Sequence, residues 1–365
     1  MSVSPPPPAA AEGYVFPASF AQRRLWFLHQ FEPDSAVYHV PVLMPIKAPL
    51  NIEVLNRTLR EIVRRHESLR TTFRSVDGDL VQVVSPSQTL DLNIVDLRSS
   101  PAAEREADAQ RMAWVEAQQP FSLEQGPLLR ATLYVLGSSD YLLLLVMHHI
   151  VSDGWSMGVL YRELSALYVA YSAGRPSPLA ELPVQYPDFA LWQNELLQGE
   201  MFEELLRYWR TQLAGAPELL NLPTDRPRPA VQTYRGAVHG IILKPRLYES
   251  LRALARSEEA TPFMVLLAAF KALLSRYSGE EDVTVGTPVA GRTRVELEPL
   301  IGFFVNTLVL RTDVSGDPSF RELVGRVREV TLGAYAHQEV PFERLVEELR
   351  PERDLSRNPL FQVMF

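Results

Sequence analysis

Two adjacent histidines, His148 and His149, followed by Asp153, Gly154 and Ser156, are the residues of this chain best suited to chemistry. A neutral imidazole, with a reference pKa of ~6.5, accepts a proton near neutral pH, and general-base catalysis contributes typically ~10²- to 10⁴-fold. That suits deprotonation of an amine or an alcohol. Adjacent side chains on a strand point to opposite faces, so one of the two imidazoles at most is catalytic. Paired histidines also suggest metal, yet these two diverge and no third His or Cys lies nearby in sequence, so no metal site is expected. Asp153 has two readings. It orients an imidazole as the acid of a triad does, or it caps the following helix and pairs with Arg292 or Arg294; the second is favoured, because the residue sits in a tight turn. Gly154 lets the backbone turn and offers its N–H to an oxyanion. Gly154 to Gly158, GWSMG, also matches the G-x-S-x-G nucleophile elbow. On that reading Ser156 is the nucleophile of an esterase or thioesterase, with His239 or His337 as base, and the paired histidines have no task.

The elements that must position these residues are legible around them. Leu142 to Met147 is an unbroken apolar run, the pattern of a strand buried on both faces, and it delivers His148 and His149 into a turn. After Asp153-Gly154 the apolar positions Val159, Leu160, Leu164, Leu167, Tyr168 and Tyr171 recur at helical spacing, so a helix start places free N–H groups and positive dipole potential beside the imidazoles. Leu128 to Leu136 is expected to pair with the histidine strand as a hairpin. Upstream, Ser19 caps a helix within Pro17 to Phe31, Leu50 to Glu67 is an amphipathic helix, Arg70 to Arg74 and Asp79 to Val84 are strands parted by Asp77-Gly78, and Pro101 to Gln118 is a helix.

The second half repeats the theme. Helices are expected over Asp188 to Gln198, Glu203 to Leu213, Leu247 to Glu259, Thr261-Pro262 onward to Gly279, Pro318 to Ala336 and Phe342 to Leu349. Strands are expected over Asp282 to Val289, Phe303 to Leu310 and Pro359 to Phe365, the last alternating Phe361, Val363 and Phe365 on one face. Asn306-Thr307 interrupts an apolar strand and either lines a channel or completes a local polar network. His29, His39 and His66 show no motif by spacing and are read as structural. Helix, hairpin and apolar strand in both halves give an α+β class with two related lobes facing one another. The expected division is a Pro/Ala-rich linker at 1–13, a first lobe at 14–175, a proline-rich linker at 176–187 and a second lobe at 188–365.

Composition excludes several classes. With 365 residues, 46% apolar and 22% charged, the chain is globular and long enough for two cores. A net charge of −8 without a basic stripe argues against nucleic acid. No apolar run approaches the ~18 residues needed to span a bilayer and no signal peptide opens the chain, so no membrane is expected and the location is expected to be cytoplasmic. The absence of cysteine rules out disulfides, thiolate metal sites and a cysteine nucleophile. Any thiol in the chemistry must come from a partner.

His148-His-Ile-Val-Ser-Asp-Gly154 resembles the HHxxxDG signature of the condensation domains of nonribosomal peptide synthetases, a signature shared with chloramphenicol acetyltransferases. Six further segments resemble the other core motifs of that family in order: Ser19 to Trp26 (SFAQRRLW), Arg65 to Phe73 (RHESLRTTF), Tyr186 to Trp192 (YPDFALW), Ile301 to Thr307 (IGFFVNT), His337 to Glu343 (HQEVPFE) and Arg353 to Leu360 (RDLSRNPL). The resemblance implies two chloramphenicol acetyltransferase-like lobes arranged as a V with a tunnel between them. Upstream donor and downstream acceptor peptidyl carrier proteins would enter its two mouths with substrates on phosphopantetheine, and an adenylation domain would lie adjacent. No cofactor is expected on the domain itself. The implied reaction is attack of the acceptor amine on the donor thioester to form an amide, with an L-configured donor and acceptor. Carried over by position, His149 deprotonates or orients the amine, His148 and Asp153 hold the turn, Asp153 through Arg292, and Gly154 lies where an oxyanion donor is wanted. Trp155, Ser156, Arg292, Asn306 and Arg23 are carried over as tunnel lining or structural support. Family members continue for several tens of residues past the seventh motif, so a C-terminally truncated member with an incomplete second lobe is expected. The competing readings are the serine hydrolase and a non-catalytic docking platform.

Overall fold

The structure, a computed structural model, describes residues 13–217, 219–230, 233, 236–349 and 356–365. The lead-in of residues 2–12 and the first three residues of the seventh motif, 353–355, lie outside the described residues. By packing the chain divides into two compact units, residues 1–196 with 292–304 and residues 197–291 with 305–365.

The first unit runs β1 (Tyr14–Pro17), α1 (Phe20–Phe31), β2 (His39–Ile46), α2 (Ile52–Arg65), β3 (Thr71–Val76), β4 (Asp79–Val84), β5 (Leu92–Asp96), α3 (Arg105–Ala117), β6 (Leu129–Val135), β7 (Tyr141–His148), α4 (Gly154–Ser172) and α5 (Tyr186–Leu196). Strands β2, β7, β6 and β5 form one sheet in that order, and β1, β4 and β3 form another. Strand β7 is antiparallel to both neighbours, with His39 opposite His148 and Leu129 opposite Met147. Every residue of β7 is buried. Its alternate residues enter different cores. Leu143, Leu145 and Met147 pack with Leu55, Leu59 and Ile62 of α2 and Val159, Leu160 and Leu167 of α4. Leu142, Leu144 and Val146 pack with Leu25 of α1, Ala109, Ala113 and Ala117 of α3, and Phe73 and Phe121. Truncating one such leucine to alanine is expected to remove ~2–5 kcal/mol of stability. The strand that carries the histidines is thereby held from both sides.

Strand β2, His39–Ile46, is not legible in the sequence because Pro41 and Pro45 interrupt its pattern. Its place at the edge of the sheet explains the tolerance, since an edge strand presents N–H groups that need no ladder partner.

The second unit runs α6 (Gly199–Gln212), α7 (Pro245–Ser257), α8 (Pro262–Ser278), β8 (Asp282–Val289), β9 (Asn306–Asp313), α9 (Phe320–Ala336) and α10 (Phe342–Leu349). Thr261 caps α8, Pro262 fills its first turn, and Gly279 ends it in the left-handed region at φ 75. Strands β8 and β9 pair antiparallel. Beneath them Lys271 of α8 is fully buried and donates to the carbonyls of Val283 at 2.8 Å and Leu310 at 2.5 Å; burial pushes its amine down to about 7.

Two expected strands differ. The strand expected over Phe303 to Leu310 starts at Asn306, because the backbone of residues 301–304 is engaged by side chains of the first unit. The stretch Pro359 to Phe365 is not a regular strand. Leu360 adopts φ 67, which breaks the extended path, and only Met364 forms a parallel bridge to Gly286. The hydrogen bonds Gly286 N–H to Val363 O and Phe365 N–H to Gly286 O, both 2.9 Å, still bind it to β8. Phe361 is buried against Gly286, where a Cβ would lie 2.5 Å from its ring. The division at Leu196 also differs in place from the linker expected at 176–187: residues 176–185 carry neither helix nor strand, yet α5 beyond them packs on β1.

Candidate active site

Strand β7 ends at His148, and His149 opens a single tight turn, His149–Val151, before Asp153 caps α4. The two imidazoles have different surroundings. His148 is 1% exposed, and its Nδ1 accepts from the N–H of Ile150 at 3.1 Å. His29, His39 and Phe121 stand edge-on around it at ring-centre distances of 6.0, 6.0 and 6.1 Å. Burial, with the neighbouring His39, His29 and His149, pushes its pKa down to about 3, so the ring is neutral and not a base at neutral pH.

His149 is half-buried. Its Nδ1 lies 2.7 Å from the carbonyl oxygen of Ser152, and its backbone N–H donates to Tyr38 O at 2.8 Å. A carbonyl only accepts, so Nδ1 carries the proton and, in the neutral ring, Nε2 holds the lone pair. The ring meets Phe303 edge-on at 4.8 Å. Gln22 of α1, itself buried, reaches Ile150 O at 3.4 Å and supports the turn from the other side.

Asp153 is 2% exposed, and its carboxylate binds five donors. Oδ1 accepts from Ser156 N–H at 2.9 Å, Ser156 Oγ at 2.7 Å and Arg292 at 3.2 Å; Oδ2 accepts from Arg292 at 2.8 Å and Phe304 N–H at 3.0 Å. Arg292 also donates to Leu300 O at 3.2 Å and covers the Phe304 ring at 4.2 Å. The two carboxylate oxygens therefore hold the α4 start and residues 292–304 together, and none of these donors is a histidine.

The remaining candidates sort by position. Ser156 is fully buried; its hydroxyl lies within 3.0 Å of the acceptors Asp153 Oδ1 and Gly302 O and accepts from Gly302 N–H at 3.1 Å. That corrects the nucleophile-elbow reading, since the hydroxyl is fully buried and its partners are Asp153, Gly302 and Arg292 rather than a histidine. His337 stacks on Tyr208 at 4.0 Å and binds Gly333 O through Nδ1 at 2.8 Å, and His239 lies on an exposed irregular stretch, whereas Ser156 Oγ is bonded to Asp153, Gly302 and Arg292. Gly154 is exposed at the start of α4, and neither a positive φ nor any neighbour within 4 Å of a built Cβ demands glycine there. Trp155 is 44% exposed and donates to Glu298 O at 2.9 Å. Arg23 binds Asn194 at 2.8 Å. Asn306, in the second unit, donates to Gln338 O and Val340 O at 2.8 Å and accepts from Phe342 N–H at 3.0 Å, the local-network alternative.

Sequence reasoning passes over two groups. Glu163 of α4, buried, binds Arg65 at 3.1 Å and His66 at 3.0 Å, while His66 Nδ1 accepts from Ile301 N–H at 3.2 Å. Burial alone would raise the Glu163 pKa; the hydrogen bonds from His66 and Arg65, with the charge of Arg65, overcome it and hold the carboxyl below its usual range. The imidazoles of His29 and His39 crowding His148 are the second group. Neither has a signature in spacing, because the partners come from separate elements. Among the described residues no cluster of His, Asp and Glu could hold a metal ion, and no helix is long and apolar enough to cross a membrane.

Comparison with known proteins gives this geometry its context. The profile of the condensation domain matches residues 13–365. The chain is 54% identical over 358 residues to one of the linear gramicidin synthase proteins of Brevibacillus parabrevis, covering 98% of this chain and 7% of that much longer protein. Among solved structures it is similar to the X-domain in complex with OxyB from teicoplanin biosynthesis, with TM-score 0.87 and 31% identity over 98% of this chain and 78% of that one. It is also similar to the first condensation domain of the calcium-dependent antibiotic synthetase, with TM-score 0.73 and 28% identity over 94% and 80% of the respective chains. The α+β fold, the histidine turn and a match across nearly the whole length make the chain a member of the condensation domain family of nonribosomal peptide synthetases.

Proposed function

We propose that the chain joins a donor acyl or peptidyl thioester to the amine of an acceptor aminoacyl thioester, both carried on phosphopantetheine of carrier proteins, and that donor and acceptor are L-configured. The observation that carries this reading is the His149 ring, half-buried and with Nδ1–H committed to Ser152 O, which leaves Nε2 as the acceptor. The amine nitrogen attacks the thioester carbon, its proton passes toward Nε2, the C–S bond breaks and the departing thiolate takes up a proton. Proximity of the two substrates supplies much of the rate, and exclusion of water protects the thioester. Gly154, with its exposed backbone at the positive end of α4, is suited to offer an N–H to the oxyanion. In this reading the two family lobes are residues 14–175 and 188–365, an adenylation domain adjoins, and the site of action is the cytoplasm.

The test is single-turnover amide formation between an aminoacyl-loaded donor carrier and an aminoacyl-loaded acceptor carrier. His149→Ala is expected to lose at least ~10²-fold of the rate while remaining folded. Full turnover by folded His149→Ala removes the assigned role. The docking-platform reading draws on the similarity to an X-domain solved with OxyB. It predicts stable capture of a partner enzyme with no amide formed by the parent chain.

A further inference from the structure

A single hydrogen bond from Nδ1 to Ser152 O leaves the His149 imidazole free to rock about that bond, so a second contact is needed to aim Nε2. The Phe303 ring makes it, edge-on at 4.8 Å and 66°. Phe303 is held with unusual thoroughness for a residue outside helix and strand. Its carbonyl oxygen accepts from the Tyr186 hydroxyl at 2.8 Å, and that hydroxyl also lies 2.8 Å from Oγ of Ser19, the N-cap of α1. The preceding Gly302 N–H donates to Ser156 Oγ at 3.1 Å, and the following Phe304 N–H donates to Asp153 Oδ2 at 3.0 Å. Tyr186 is 1% exposed, and a Cβ on Gly302 would lie 2.2 Å from its ring, so only glycine lets the segment approach this closely.

The contacts close a ring through the structure. His149 binds Ser152; the next residue, Asp153, binds Phe304; Phe304 neighbours Phe303; and Phe303 returns to His149. We propose that Phe303 is a positioning residue that aims His149 Nε2 at the acceptor amine, with Tyr186 and Gly302 setting the height of the Phe303 ring. This rests on the role proposed for His149. Loss of the aromatic wall lets the imidazole turn and admits water to Nδ1, which releases the tautomer from Ser152.

The experiment compares Phe303→Leu, Phe303→Tyr and Tyr186→Phe with the parent. Nitrogen-15 NMR of the imidazoles, assigned with His149→Ala, reads the tautomer without any substrate, and single-turnover amide formation from aminoacyl-loaded carriers reads the consequence. In the parent, Nδ1 of His149 is expected to show the protonated signature and Nε2 the unprotonated one. In Phe303→Leu the two nitrogen signals are expected to converge, and turnover to fall about 10-fold, within the range a small misplacement of a catalytic group produces. Tyr186→Phe, which keeps the ring but removes the hydroxyl, is expected to fall between, and Phe303→Tyr to stay within about 2-fold of the parent with its tautomer intact. A parent-like tautomer in Phe303→Leu, or a parent-like rate, overturns the positioning role. Undiminished turnover in His149→Ala overturns the role of His149 instead and is distinguishable, because the NMR signature is read separately.

Discussion

The carboxylate of Asp153 and the guanidinium of Arg292 meet at 2.8 Å although 139 residues separate them in the chain, and their side chains are 2% and 1% exposed. This pair joins the start of α4, just past the histidine turn, to the segment that carries Phe303.

Breaking it is expected to act on stability before chemistry. Arg292→Ala or Asp153→Asn leaves the partner charge buried and unpaired, and the unfolding free energy is expected to drop by roughly 3–5 kcal/mol in chemical denaturation. Arg292→Lys keeps the charge but not the two-pronged donor geometry, and should recover part of that loss. A variant that unfolds at the parent's denaturant concentration yet forms no amide would transfer Asp153 to the catalytic groups.

Ser156→Ala is expected to keep amide formation within a few-fold of the parent. Its effect falls on folding, because the buried N–H of Gly302 loses its acceptor, a loss of about 1–3 kcal/mol. A fluorophosphonate probe is expected to leave the parent unlabelled at Ser156. Covalent labelling there, or abolished turnover in a folded Ser156→Ala variant, contradicts the assignment.

Acid should destabilise the first unit through the imidazole cluster. Burial pushes His148 down to about 3, and burial also lowers His29, against the opposing pull of Asp34 and Glu124, and His39, against its bond to Ala117 O, with Arg130 lowering it further. Unfolded, each imidazole titrates near ~6.5, so below that pH the unfolded chain binds more protons than the folded one. Stability is therefore complete above ~6.5 and declines as pH falls toward the folded pKa of His148, by up to ~1.4 kcal/mol per pH unit for each proton. Urea unfolding of the parent and of His148→Asn, whose amide oxygen can accept from Ile150 N–H, checks this between neutral and acid pH. An equal slope in the two proteins would exclude His148 as the source.

Much of this molecule follows from local rules. An apolar run that suits burial on both faces, a histidine pair at its end and Asp153 before a helical period dictate strand, turn and capped helix in one continuous stretch, and the structure has β7, the turn and α4 there. Ser19 and Thr261 cap the helices that follow them, since a cap acts within three residues. The histidine turn is legible as a candidate for chemistry for the same reason: the residue types and their order need no distant partner.

Other features depend on which distant surfaces meet, and spacing carries no record of that. Nothing local tells that Arg292 rather than Arg294 reaches Asp153, that Glu163 holds both Arg65 and His66, or that His29 and His39 converge on His148 from α1 and β2. The Nδ1–H tautomer of His149 and the ring of Phe303 against it are likewise set by packing: the backbone of residues 301–304 satisfies its buried polar groups with His66, Ser156, Asp153 and Tyr186 instead of a strand partner. Local residue order thus marks the candidate group and the element it stands on, whereas its aim comes only from the folded packing, because orientation is the sum of contacts from residues far apart in the chain.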